Sequence, residues 1–312
     1  MKPKILITDS LFIFKEHEKM LTDAGYEIER LDTPTASEDQ LIEAIKGKVG
    51  YIIGGIEKTT NKIVDAADAL KAMVFTGIGY KEYILNWEYV TKKGIAIANT
   101  PDAPTFAVSE WALAATLAMQ RNLFDLGPSG TKKFFTTKGI EGQNIGIIGL
   151  GRIGSQITKM LQPFRPGKIQ YYSRHRHEER EKELGISYAT LENLLKESDI
   201  VYLCVSKDAP DNLLGAKEFA LMKDGSLLVT FVNAVITDEN ALLKELKSGR
   251  LRAASDHPLT DPSSKELPIS TWYCSNTSTA FNTFNELKTT SDAATKSLIN
   301  LLKTGKDEYK VN

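Results

Sequence analysis

Ile145-Gly146-Ile147-Ile148-Gly149-Leu150-Gly151-Arg152-Ile153-Gly154 runs from a short apolar strand into a glycine-rich turn, after which Ile157, Met160 and Leu161 recur at helical spacing. Strand, turn and helix in this order are what a dinucleotide site needs. Gly149 permits the tight turn, Gly151 lets a pyrophosphate reach the backbone, and Gly154 lets the helix pack on the strand. The helix start, at Arg152 and Ile153, turns backbone N–H groups and a positive dipole end toward the phosphates. Glycines recur by chance in a chain this long, so the flanking strand and helix carry the assignment.

About twenty residues on, an NAD-selective unit places Asp or Glu at the end of its second strand, where it accepts bonds from the ribose hydroxyls. This chain has Tyr171-Tyr172-Ser173-Arg174-His175-Arg176-His177 there. Ser173 stands at the acidic position, so no carboxylate repels a 2′-phosphate, while Arg174 and Arg176 offer it charge-assisted bonds. NADPH is therefore expected in preference to NADH. The competing reading is a solvated basic turn balanced by Glu178, Glu179, Glu181 and Glu183.

Outward from this unit, strand-like apolar runs alternate with amphipathic helical stretches, the pattern of parallel sheets covered by helices. The first series has strands at 4–8, 26–31, 50–53, 73–76 and 95–98, with helices at 12–24 and 38–45. A turn with two prolines follows at 99–104, and then a long Ala-rich segment, 106–119, suits a buried helix. The second series opens at 143–148 and continues through strands near 169–172, 200–205, 227–231 and 252–254. A last helix, about 284–302, can return to the first series. The fold class is α/β: two Rossmann-like doubly wound domains, the cofactor domain inserted into a flavodoxin-like substrate domain. Residues 1–98 with 285–312 form the substrate domain, and 99–284 the cofactor domain.

Composition limits the partners. A chain of 312 residues with 42% apolar and 25% charged residues has the make-up of a globular enzyme. Its 39 basic and 40 acidic residues leave a net charge of −1, with no field to attract nucleic acid or an anionic membrane. No apolar run approaches the roughly 20 residues of a membrane helix, and residues 1–9 do not form a signal peptide. Cys204 and Cys274 belong to no metal or redox cluster, so no metal is expected. These features place the chain in the cytoplasm, acting on a small molecule.

Phe75-Thr76-Gly77-Ile78-Gly79-Tyr80, Gly94 to Pro101, Val108-Ser109-Glu110, the phosphate turn and Asp238-Glu239-Asn240-Ala241-Leu242 together resemble the D-isomer-specific 2-hydroxyacid dehydrogenase family over nearly the whole chain. The resemblance implies a substrate domain completed by the last helix, an active cleft at the hinge and a homodimer. It also implies that the backbone of Ile78 and Gly79 faces the substrate's acid group. Val108 is placed near the nicotinamide, and Val205 and Asp256 beside the cofactor.

The family's Arg, Glu and His of catalysis have no counterparts here. The arginine position, five before Asp238, is Asn233. The glutamate position before the proline is His257, in Ser255-Asp256-His257-Pro258, and the histidine position falls on Ser278. An amide cannot supply the charged fork of a guanidinium, and a serine does not titrate near neutrality. Three readings follow: a reductase of an atypical oxo or imine substrate, with His257 as proton donor and Asn233 and Ser278 hydrogen-bonding beside it; a non-catalytic cofactor-binding protein; or a conventional 2-oxo acid reductase using His257. Tyr80, Tyr83, Trp87 and Tyr89 are read as packing residues, and Cys204 as a core thiol.

Overall fold

The computed structural model describes residues 2–8, 13–33, 35–101, 104–124, 136–206, 209–232, 234–275 and 280–312. The chain divides into two compact units, Met1–Pro104 with Asn282–Asn312, and Thr105–Phe281. The sequence reading draws these limits at 98/99 and 284/285.

The first unit contains β1 (Lys4–Thr8), β2 (Glu27–Leu31), β3 (Lys48–Ile53), β4 (Ala72–Phe75) and β5 (Ala96–Asn99). They form one sheet in the order β2-β1-β3-β4-β5, with every neighbouring pair parallel. This is the flavodoxin-like order. Ile5, Leu6, Ile7, Ile52 and Ile53 are wholly buried, as strands covered on both faces require. The expected helix at 12–24 is shorter, Lys15–Asp23; Phe12 lies outside the described residues. Tyr80, Tyr83, Trp87 and Tyr89 pack against the core, with Phe75 and Tyr83 stacked 4.5 Å apart.

The final helix, Phe284–Thr304, covers this sheet. A methyl group at Gly50 would lie 3.1 Å from Leu302 and 3.2 Å from Leu298, so bare backbone at β3 admits the helix. His17 ties the helix to Lys15–Asp23. Its ring is fully buried: Nδ1 accepts from the Phe14 N–H at 3.1 Å, and Nε2 lies 3.2 Å from an Asp292 carboxylate oxygen. That tautomer is neutral, and burial lowers the imidazole pKa despite Asp292.

The second unit holds β6 (Ile145–Ile148), β7 (Ile169–Tyr172), β8 (Ser187–Tyr188), β9 (Ile200–Leu203), β10 (Leu227–Thr230), β11 (Arg252–Ser255) and β12 (Trp272–Cys274). The sheet order β12-β11-β10-β9-β6-β7-β8 is all parallel and has the Rossmann arrangement, with its reversal between β6 and β9. β8 and β12, of two and three residues, were not anticipated from the sequence. The Ala-rich helix is Thr105–Gln120, and Ala112, Ala115 and Met119 pack with Ile147, Ile157 and Leu161. Arg252 donates to Met119 O and Gln120 Oε1 at the end of this helix, while Arg250 donates to Glu245 and to Phe219 O. Both arginines serve the unit's own framework.

Among the described residues no helix is long and apolar enough to cross a membrane, and no cluster of His, Cys, Asp and Glu could hold a metal.

The neutral His17 makes a pH prediction. Its folded pKa lies below 6.5, so as pH falls through 6.5 the unfolded chain takes up a proton that the native chain refuses, and stability is lost. Glu286 works in the opposite direction, because burial raises its carboxyl to about 7 and its contribution is lost as pH rises through that value. Thermal melts of wild type and His17→Gln between about pH 8 and 5 separate the two. The variant is expected to lose less stability on acidification than the wild type; parallel curves would remove His17 as the cause.

Candidate functional site

β6 ends at Ile148, and the chain turns at Gly149 with φ +98°, in the region that favours glycine. A methyl group there would lie 2.8 Å from Cys204 O, so the turn passes directly over the end of β9. Gly154 is the tighter constraint: its methyl group would lie 2.2 Å from Gly149 O, inside covalent-clash range. Nothing lies within 4 Å of the corresponding point on Gly151. The two crowded glycines thus bring the helix Arg152–Leu161 against the strand, and the open one leaves room above the backbone. Ser155 N–H is the first amide to return into the helix, to Gly151 O at 3.0 Å. Earlier amides of the first turn face the helix end, as an anion site requires. The Ile153 side chain packs into the core, so it can meet a phosphate only through its backbone.

A cavity of about 360 Å³ opens beside this turn, at the reversal of strand order. Gly149, Leu150 and Gly151 form its floor, and Val205, Ala209, Pro210 and Leu213 an apolar wall. Its rim, beyond β7, carries Ser173, Arg174, His175, His177 and Arg180, with no carboxylate among the described lining residues. Arg174 is exposed and no described acidic residue pairs with it. Arg180 donates to Leu150 O, which draws its guanidinium toward the phosphate turn. The residues present therefore suit a dinucleotide: apolar wall, helix start and basic rim.

Arg176 departs from its expected place. Its guanidinium forms a two-pronged bond with Glu181, Nε to Oε1 at 2.8 Å and Nη2 to Oε2 at 2.9 Å, and does not line the cavity. Tyr171 OH donates to the same carboxylate at 2.7 Å. Arg176, then Tyr171, hold the Glu181 carboxyl down at about 2. The balance between basic turn and acidic run is thus met at Arg176, and Arg180, from the following helix, stands at the cavity instead. No sequence signal separates these two arginines.

Asp256 is buried at the end of β11, where its Oδ1 accepts from Ser275 Oγ at 2.6 Å and from the Ala280 N–H at 3.2 Å. It braces the loop after β12 and is not part of the cavity lining. His257 follows it, half-buried, with its N–H bonded to Ser255 Oγ and its carbonyl accepting from the same hydroxyl. Asn233 and Ser278 lie outside the described residues. Cys204 borders the cavity at the end of β9, and burial raises its thiol pKa strongly, so it is no nucleophile.

In the first unit, the Ile78 carbonyl accepts from Asn99 Nδ2 and from the Tyr80 N–H, both at 3.0 Å. Thr100 N–H holds Gly77 O at 3.1 Å. The N–H groups of Ile78 and Gly79 find no acceptor among the described residues. Two donors in succession are what a small anion-binding concavity needs.

Residues 112–280 match the family model described as D-isomer specific 2-hydroxyacid dehydrogenase, NAD binding domain. A glyoxylate reductase from Thermococcus litoralis is 33% identical over 268 residues, covering 81% of this chain and 79% of that protein. Among solved structures, the TT0316 protein of Thermus thermophilus superposes over 99% of this chain and 100% of its own, with a TM-score of 0.86 at 22% identity. An acyclic imino acid reductase in complex with NADPH and D-Arg shares the fold with a TM-score of 0.84 at 20% identity, over 99% of this chain and 100% of that one. With the phosphate turn inside the matched segment and the sequence likeness reaching well beyond it, the chain belongs to the D-isomer-specific 2-hydroxyacid dehydrogenase family and is an oxidoreductase of that type.

Proposed function

We propose that this chain is an NADPH-dependent reductase acting on an atypical C=O or C=N substrate that bears an acid group. The observation that carries the cofactor choice is the basic rim of the cavity beyond β7, which has no carboxylate among its described residues. The start of the helix Arg152–Leu161 holds the pyrophosphate, the apolar wall takes the adenine, and Arg174 and Arg180 hold the 2′-phosphate. Ser173 leaves that phosphate unopposed. Bound there, NADPH supplies the hydride. The proposal includes a homodimer in the cytoplasm.

The paired N–H groups of Ile78 and Gly79 receive the substrate's carboxylate. His257 delivers the proton, its backbone fixed by Ser255 and its neighbour Asp256 fixed by the loop it braces. Asn233 and Ser278 are assigned hydrogen-bonding roles at the reacting carbon, in place of the charged groups usual in the family. A protonated imine already carries its proton and so makes the smaller demand on such a set. The glyoxylate reductase relationship favours an oxo acid as the other acceptor to test.

Titration should show NADPH bound more tightly than NADH. Arg174→Ala is expected to weaken NADPH about tenfold or more, the worth of a charged hydrogen bond, and to leave NADH nearly unchanged. Equal affinities in the wild type, or equal losses in the variant, would refute the cofactor assignment.

NADPH oxidation should be followed with 2-oxo acids alone and with ammonium added, which separates C=O from C=N reduction. His257→Gln is expected to lower kcat about a hundredfold or more without changing the NADPH Kd. Unchanged kcat would remove His257 as the proton donor, and tight NADPH binding with no turnover on either panel would favour the non-catalytic reading.

A further inference from the structure

A second cavity, of about 260 Å³, opens at the edge of the seven-stranded sheet, where β12 is the terminal strand. It shares no described lining residue with the cofactor cavity, and β11, β10 and β9 separate its strand from β6. Trp272 and Cys274 alternate along β12, so both present to one face, and there they pack in a cluster with Leu259 and Leu267. Tyr273, between them, packs with the other core, its ring stacked on Phe124 at 4.8 Å. The volume lies just below the roughly 300–1,000 Å³ of drug-sized sites, which suits a small molecule.

The polar groups on its wall mark it as a site. Trp272 and Ser264 are buried, at 7% and 5% exposure, yet the indole N–H and the hydroxyl have no hydrogen-bond partner among the described residues. The backbone N–H of Ser264 goes to Asp261 O. Buried polar groups are as a rule bonded, so each such exception points to something that completes it. Lys265, exposed, is the one charged residue of the described lining and pairs with no described carboxylate. Asp261, four residues before it, is engaged by Ser263 N–H and Oγ at 2.8 and 2.6 Å, and Glu266 does not line the cavity.

An indole N–H and an ammonium only donate, and a hydroxyl can do so. The group that completes them is therefore an acceptor, and the ammonium makes an anionic one the better match. The remaining wall, Pro258, Leu259, Leu267, Ile269 and Cys274, is apolar and would desolvate a second charge.

We infer that this cavity binds a small monocarboxylate with an apolar body, its acid group held by Lys265, Trp272 and Ser264. The inference goes beyond the reductase reading and does not depend on it. Pro258 and Leu259 follow His257 directly, and the turn is clamped on either side of them: His257 N–H donates to Ser255 Oγ at 3.1 Å, and Thr260 N–H to Glu239 Oε2 at 3.0 Å. A molecule in the cavity touches the turn that carries His257.

The three tryptophans, Trp87, Trp111 and Trp272, give three indole N–H resonances in the nitrogen-15 spectrum of the full chain, and Trp272→Phe assigns the one at the cavity. Phenylacetate is titrated beside its uncharged and cationic counterparts, 2-phenylethanol and 2-phenylethylamine. Phenylacetate should move the Trp272 resonance and bind about tenfold or more tightly than the alcohol, the worth of a charged hydrogen bond, while the amine should not bind. Lys265→Met, which keeps the apolar stem, should erase that difference by weakening phenylacetate alone, and Ser264→Ala should weaken phenylacetate about threefold or more. Equal affinity for acid and alcohol, preference for the amine, a Trp272 resonance unmoved by phenylacetate, or a Kd unaltered in Lys265→Met overturns the inference. The readout needs neither NADPH nor turnover, so failure of the reductase reading leaves it standing, and its own failure leaves that reading untouched.

Discussion

The structure of the second unit depends on one close approach, between Gly154 at the head of a helix and the carbonyl of Gly149 at the end of β6. At 2.2 Å from that oxygen there is no room for a methyl group, so only glycine lets the helix start where it does. Gly149 adds the second restriction, since a side chain there would collide with the backbone at the end of β9. Together they put the start of a helix at the point where the strand order reverses, with a cavity beside it. The exposed helix start and the cavity beside it are thus consequences of backbone packing before any charged side chain is considered.

Charge then refines what the packing has made. Four basic side chains line the rim, and none of the nearby glutamates does. The reason is local pairing: Glu181 is taken by Arg176 and Tyr171, which removes one cation and one anion from the cavity at once. The net effect on the rim is a positive field from Arg174 and Arg180, with two imidazoles beside them. In the first unit the corresponding device is neutral, a pair of backbone N–H groups whose own carbonyls are already occupied.

Much of this was legible in the sequence because glycine spacing, apolar strands and helical periodicity all point to the same local geometry. The phosphate turn, the two parallel sheets and the Ala-rich helix follow from those patterns. β8 and β12 escaped because two or three residues are too few to show a period. The choice between Arg176 and Arg180 also escaped. Arg176 is nearer the strand end in sequence, but its partner Glu181 is five residues on, and only the fold shows that pairing pulls it aside. Asp256 was expected beside the cofactor, and its bonds to Ser275 and Ala280 give it a bracing role that no spacing rule predicts.

The central claim is that the rim beyond β7 binds a 2′-phosphate as its dianion. Phosphorus NMR of NADP titrated in the presence of saturating protein reads this directly, because the free monoester has its second pKa near about 6. The account predicts that the bound 2′-phosphate stays dianionic to at least about one pH unit lower than the free one, the direction imposed by neighbouring guanidinium groups. A bound 2′-phosphate that titrates like the free molecule, or at higher pH, would contradict it.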